Sequence, residues 1–563
     1  MNPRLALPIL LSVAIPWAAL TQTVPSPEKK QPEAKAAPRE TPPDSKAYSE
    51  ASAITDPAKK IEALEKFKRD FPKSASVETA NMSILSTLLK MPNETARARR
   101  QAELIYKSAG KKSQGATAAR LATNLLNANA LLNDAEKYAN KGVKSMKQEE
   151  YVKEQIASAK SRKREPPRQE DMLKRFRESR ASRVATLGRV EAALGRDKKA
   201  KQLLEEAYKE LPTDTAVAGG LGELAAKRGD AATALNYLLP ARLSGRTAPS
   251  TLAALESVYR KAHNGSLDGL DEMLNQEYRK RFPNPLRVEE YKPTAKRGSR
   301  MVLAELFTGA GCPPCVAADL AFDAVMERYN RNELALVVYH QHVPRPDPMT
   351  NPDTQARFKF YAGRGVPTFA IDGKTTVGGG SRENTKEVYE GRQGFNPDIE
   401  KDLESPAEAK LTLTASIAGG VVKTNAAVDQ VQGEAKNLMV HILLVEKSLV
   451  YSGENGIRFH PMVVRAMGGP QAEGFKFDPK APASFDQNFD LAKVGAALKQ
   501  HLDDYEAKGH RGESFKFIEK KYQIDAADLA VVAFVQDAET KHVLQAAYVD
   551  LAASTPKLVT RQR

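Results

Sequence analysis

The chain has 563 residues and a formal net charge of +15, with 28% charged and 6% aromatic side chains and only two cysteines. That length exceeds what one core can hold, so three or four domains are expected. The charge does not read as a nucleic-acid surface. The cations of Lys141 to Arg183 are interleaved with Glu149, Glu150, Glu154, Glu165, Glu170, Asp171 and Glu178, the mark of a solvated helical surface, and no zinc-finger, RNA-recognition or aromatic–basic signature is present.

In chain order, residues 1–21 carry one cation, Arg4, and then an apolar run from Leu5 to Leu20 interrupted by Pro8 and Pro16. This pattern predicts a secretory signal peptide cut near Thr21, hence a periplasmic or secreted protein with no transmembrane segment after signal removal. Residues 22–45 are Pro, Lys, Glu and Ala with almost no bulky apolar side chains, and are expected to form a disordered linker.

Residues 46–285 are rich in Ala, Leu, Lys and Glu and read as helical. Leu187-Gly188 recurs as Leu221-Gly222, Gly195 as Gly229, Ala200 as Ala234, Leu204 as Leu238 and Ala207 as Ala241, each at an offset of 34 residues. Small residues at such positions let two helices cross closely. The period resembles the tetratricopeptide repeat, and Leu211-Pro212 fits its closing proline. That resemblance implies a solenoid whose concave face binds a protein partner. A charged break falls at Pro166-Pro167.

The chemistry lies further on. Val302 to Phe307 is an apolar run that reads as a buried strand, followed by the turn Thr308-Gly309-Ala310-Gly311 and then Cys312-Pro313-Pro314-Cys315. Val316, Leu320, Phe322, Val325, Met326 and Tyr329 suit a helix. Cys312 is thus expected where a turn enters a helix, a place that favours a thiolate.

Strand, turn, Cys-Pro-Pro-Cys and helix resemble the thioredoxin superfamily, and Gly365-Val366-Pro367-Thr368-Phe369 is similar to its cis-proline loop. The turn before the cysteines is one residue longer than in thioredoxins, and Gly311 stands where they usually have Trp. The resemblance implies a thioredoxin-like domain over residues 290–402. It implies Cys312 as the attacking and more exposed thiol, Cys315 as the resolving one, and Glu305 as a proton acceptor for Cys315. It also implies Pro367 as a cis residue, with Val366 and Thr368 beside a substrate chain.

Leu334 to His340 reads as the next strand, and Asn351 to Tyr361 as a helix. His340 and His342 are two apart and would share a face on an extended backbone. Either helps the dithiol, as proton shuttle or metal ligand, or both serve a proline-stiffened loop. From residue 408 to 555, Lys410–Ala415, Val421–Val428, Leu438–Glu446, Arg458–Met467, Leu529–Val535 and Val543–Leu551 read as strands. They predict an antiparallel immunoglobulin-like sandwich with a helical insertion near 490–520. The fold class expected is therefore multidomain: helical solenoid, α/β domain, β-sandwich.

Three functions fit this layout. The first is an exported thiol–disulfide oxidoreductase that needs no cofactor beyond its dithiol and acts on the thiols or disulfides of envelope proteins. The second is an envelope scaffold with a redox-inactive thioredoxin-like module. The third is a copper-binding thiol protein using Cys312, Cys315 and His340 or His342.

Overall fold

The computed structural model describes residues 42–552 apart from 392–393, 434–436, 471–472 and 511–514. The expected signal peptide and nearly all of the expected linker lie outside the described residues. The linker's last three residues belong to the first helix, which begins at Pro43. Proline at a first helical position costs nothing there, because that amide would have no partner anyway.

Among the described residues, thirteen helices (α1–α13) run from Pro43–Ala53 to Leu270–Arg281. The period read from the sequence is visible in α8 (Gln169–Ala193), α9 (Asp197–Glu210), α10 (Thr215–Lys227) and α11 (Ala231–Arg242). These form two hairpins whose second helices begin 34 residues apart, at Asp197 and Ala231. Each hairpin turns at a left-handed glycine, Gly195 and Gly229, both at φ +77°. At each crossing a glycine of the first helix faces a leucine of the second. A Cβ on Gly188 would sit 2.9 Å from Leu204 Cγ, and one on Gly222 would sit 2.6 Å from Leu238 Cγ. Ala200 and Ala234 are both fully buried. Ala234→Leu is therefore expected to destabilise the helical region by about 1–3 kcal/mol through overpacking. Chemical denaturation followed by circular dichroism measures this, and an unchanged midpoint would place the crossing elsewhere.

The rest of the chain centres on one mixed sheet. Its strands are β1 (Val302–Thr308), β2 (Leu334–His340), β3 (Thr368–Ile371), β4 (Lys374–Thr376), β7 (Leu438–Val450), β8 (Phe459–Met467), β9 (Phe475–Lys476), β11 (Asp528–Asp537) and β12 (Val543–Ala552). Their order is β12-β11-β7-β8-β2-β1-β3-β4, with β9 on β7. β1 and β2 are parallel, and β3 runs antiparallel to β1. Helices α14 (Cys315–Arg328), α15 (Pro352–Phe360), α16 (Thr385–Glu390) and α17 (Asn396–Leu403) belong to this region. A smaller antiparallel sheet holds β5 (Lys410–Ala418), β6 (Val421–Asp429) and β10 (Ala483–Asp490) in the order β10-β6-β5. Helix α18 (Leu491–Lys508) follows β10 directly, where the sequence predicts an insertion.

The C-terminal sandwich expected as a separate unit is corrected here. Its two layers exist, with Val422, Ala426 and Val428 of β6 packed against Val440, Ile442, Val531 and Ala533. One layer, however, is the far half of the central sheet, joined through the parallel pairing of β8 with β2 at Val463 and Val338. Both strands have unsatisfied edge groups, and pairing them removes an exposed edge from each half.

The helical array docks at this junction. Arg458, 1% exposed, donates to Asn275 Oδ1 (2.8 Å) and Asp271 Oδ1 (3.1 Å), and Phe459 stands edge-on to Tyr278. The amide of Gly245 donates to Gly453 O (3.0 Å), and Arg246 pairs with Glu454 (3.1 Å). Among the described residues no helix is long and apolar enough to cross a membrane.

Candidate dithiol site

Cys312 and Cys315 are joined in a disulfide (S–S 2.07 Å) in the turn between β1 and α14. The turn is held by its own backbone, with Cys312 N donating to Gly309 O (2.9 Å) and Cys315 N to Cys312 O (3.2 Å). Helix α14 begins at Cys315 rather than at the first cysteine. The Val366–Pro367 bond is cis, and Cys312 Sγ lies 3.7 Å from Val366 O. A second cis bond, Val343–Pro344, follows His342. Thr368 is buried in β3 and its hydroxyl donates to Gly365 O (2.8 Å), so of the two expected substrate neighbours only Val366 adjoins a sulfur.

Cys312, expected as the more exposed thiol, is itself enclosed: it is 1% exposed and Cys315 is fully buried, while Pro313 and Pro314 face solvent. The cover is a non-local loop, residues 451–458 between β7 and β8. Its Asn455 donates from the backbone to Ala310 O (2.9 Å) and from Nδ2 to Gly309 O (3.3 Å). Ile457 packs on Val316 and Leu320. Arg345 closes another side, since a Cβ on Gly311 would lie 2.5 Å from Arg345 Cβ. Glycine before Cys312 is thus a steric requirement of this site.

Glu305 is buried, as expected, but it is committed elsewhere. Arg357 donates to Oε1 (2.8 Å) and Oε2 (3.0 Å), Tyr339 donates to Oε1 (2.9 Å), and Tyr361 donates to Oε2. Every favourable acceptor direction on this carboxylate is used by that network. It is an anchor of the sheet, and none of these bonds goes to either cysteine.

No known family model matches this chain, and no curated protein matches it.

The two histidines bracket one buried acid. His340 Nδ1 is 2.8 Å from Asp347 Oδ2, and the Asp347 amide donates to His342 Nδ1 (3.0 Å). Asp347 also accepts from the amides of Ala310 (2.6 Å) and Met349 (2.8 Å), which ties this loop to the cysteine turn. Burial works against its charge, but His340 and those amides hold it below the ordinary carboxylate value. The histidines then diverge. His340 meets His460 edge-on, whereas His342 packs on Tyr505 and His501 of α18. Burial pushes His342 down to about 4 and His460 down to about 3. Among the described residues no three His, Cys, Asp or Glu side chains are grouped to hold a metal ion.

Sequence reading missed Asp347 and Asp319. The signal for Asp319 was present: it lies four residues after Cys315, on the same helix face. Burial pushes its carboxyl up to about 7, against the pull of His340. The folded protein holds this proton more tightly than the unfolded chain, whose carboxyl titrates near 3.8. The resulting stabilisation is complete below that pH and is lost as pH rises through about 7. Asp319→Asn is expected to leave stability unchanged near about pH 4 and to raise it in alkaline solution, by up to about 1.4 kcal/mol for each pH unit between the two values. Denaturant titrations at acid and alkaline pH check this, and an equal effect at both would refute it.

Proposed function

We propose that this protein is an exported thiol–disulfide oxidoreductase of thioredoxin-like kind, acting on the thiols or disulfides of protein clients. The observation that carries this reading is the Cys312–Cys315 pair set against the Val366–Pro367 turn, with Cys312 Sγ 3.7 Å from Val366 O. The order β4-β3-β1-β2, with α14 between the parallel strands β1 and β2, supports the reading by placing the cysteine turn at one end of a mixed sheet. The helical array would hold a client or partner chain, as solenoids of this kind do. Export rests on residues 1–21, and the intact mass of the mature protein should lack them.

The direct test is turnover of a protein disulfide together with the reduction potential of the couple. Cys312→Ser and Cys315→Ser should each abolish turnover. A potential near that of thioredoxin would make the protein a reductant, and one about 100 mV or more higher an oxidant. One observation favours a second reading, a partner-binding scaffold with a structural disulfide: both cysteines are buried, and the 451–458 loop is bonded to the turn that carries them. In that case the reduced and oxidised proteins would bind partners equally and neither would turn over.

A further inference from the structure

Helix α14 carries Cys315, Asp319, Asp323 and Glu327 at successive four-residue steps, so the four side chains form a file along one face. The file runs from the fully buried Cys315, through Asp319 and Asp323, both partly buried, to the exposed Glu327. Asp323 is raised well above the ordinary carboxylate value by burial and by Asp319, and Arg382 draws it down. The groups that face Asp319 from neighbouring elements are Thr308 at the end of β1, His340 at the end of β2 and Asp347 in the loop that follows. Thr308 and His340 are register partners across the parallel pair. His340 is 1% exposed, its Nδ1 is taken by Asp347, and its Nε2 has no hydrogen-bond partner. The inner end of the file is therefore bordered by a buried imidazole whose second nitrogen is uncommitted. With Glu305 engaged by Arg357 and two tyrosines, Asp319 is the carboxyl placed one helical turn from the resolving cysteine.

We propose that Asp319 accepts the proton of Cys315 when that sulfur resolves a mixed disulfide, and that Asp323 and Glu327 connect it to solvent. This rests on the oxidoreductase reading. In the step, the Cys315 S–H proton passes to the Asp319 carboxylate as Cys315 Sγ attacks Cys312 Sγ. The bond between Cys312 and the client sulfur breaks, and its electron pair leaves on the client thiolate. The Cys312–Cys315 disulfide forms, the client sulfur is reduced, and the proton held by Asp319 returns along the file to solvent or to the leaving thiolate.

The test uses the reduced full chain and an aromatic disulfide, 5,5′-dithiobis(2-nitrobenzoate). The first thiol releases one thionitrobenzoate, and Cys315 then displaces the second within the same molecule. In the wild type the second release should be fast and should show an inflection from a carboxyl group in its pH profile. Asp319→Asn should slow it by at least about tenfold near neutral pH and remove that inflection. Asp319→Glu should restore both, which a merely structural role for the side chain would not predict. An unchanged rate and profile in Asp319→Asn overturns the proposal while leaving the oxidoreductase reading intact. A wild type with no second release at any pH overturns both. Should Asp319→Asn fail to fold, the thiolate ultraviolet absorbance of Cys312→Ser decides. A Cys315 titration in two steps, coupled to a carboxyl, supports the relay, and a single step like that of a free thiol overturns it.

Discussion

Arg357→Met is expected to destabilise the protein by about 3–5 kcal/mol, because it leaves the Glu305 carboxylate buried and without its cation. Arg357 and Glu305 are 3% and 0% exposed. The guanidinium donates to both Glu305 oxygens and to Gln536 Oε1 (2.8 Å), and it stacks near Phe360, Tyr361 and Phe534. Glu305 lies on β1, Arg357 on α15 and Gln536 on β11, so this network ties the disulfide-bearing half of the sheet to its far half. Methionine keeps most of the side-chain volume, so the expected loss comes from the uncompensated charge rather than from a cavity. Pairing the change with Glu305→Leu should recover much of the stability, since an apolar pair of similar volume carries no desolvation cost. Denaturant unfolding of the two single variants and the double variant measures the coupling. Additive losses would mean the two groups do not act as a pair.

The largest functional effect is expected at the cysteines themselves. Cys315→Ser should accumulate mixed disulfides with client proteins, because Cys312 still attacks and nothing resolves the product, while Cys312→Ser should accumulate none. These roles belong to the proposed function, and two features of the site support them. Cys312 Sγ adjoins the Val366 carbonyl, where an extended client strand can pair, whereas Cys315 is enclosed at the start of α14 with Asp319 one turn behind it. Cys312 is itself covered, so capture also depends on the 451–458 loop. Asn455→Ala removes the side-chain bond to Gly309 O and should speed alkylation of reduced Cys312 without changing that of Cys315. Gel mobility after acid quenching, with and without reductant, reads the trapped species. If Cys315→Ser captures no client and both cysteines alkylate at one rate, the dithiol is not a redox site.

Much of this architecture is legible in the sequence, because it is written in local patterns. The recurrence of small residues at 34 positions' distance appears as the Gly188–Leu204 and Gly222–Leu238 crossings. The apolar run Val302 to Phe307 lies in the wholly buried strand β1, and the helix read from Asn351 to Tyr361 is α15, Pro352–Phe360, with Asn351 as its N-cap. The spacing of the two cysteines, with a strand before and a helix after, already places them in one turn, since three residues cannot carry them apart.

The errors share one cause. Each depends on a partner distant in the chain. Glu305 is an acid on a buried strand, and nothing local says that its counter-ion lies 52 residues away on α15, or that Gln536, 179 residues beyond Arg357, completes the network. The resemblance makes Cys312 the more exposed thiol, but it is buried in a turn to which Asn455, 146 residues beyond Gly309, is bonded. The C-terminal strands read as a self-contained sandwich because alternation reports which face of a strand is buried, not which strand pairs with its edge. Edge pairing is made by backbone groups common to every residue, so the joining of β8 to β2 leaves no mark in composition or periodicity. The sequence by itself therefore determined the elements, the helical period and the place of the dithiol. Only the tertiary structure decided what encloses the cysteines, what engages Glu305 and where one layer ends, because those depend on long-range contacts between segments whose local patterns are complete without them.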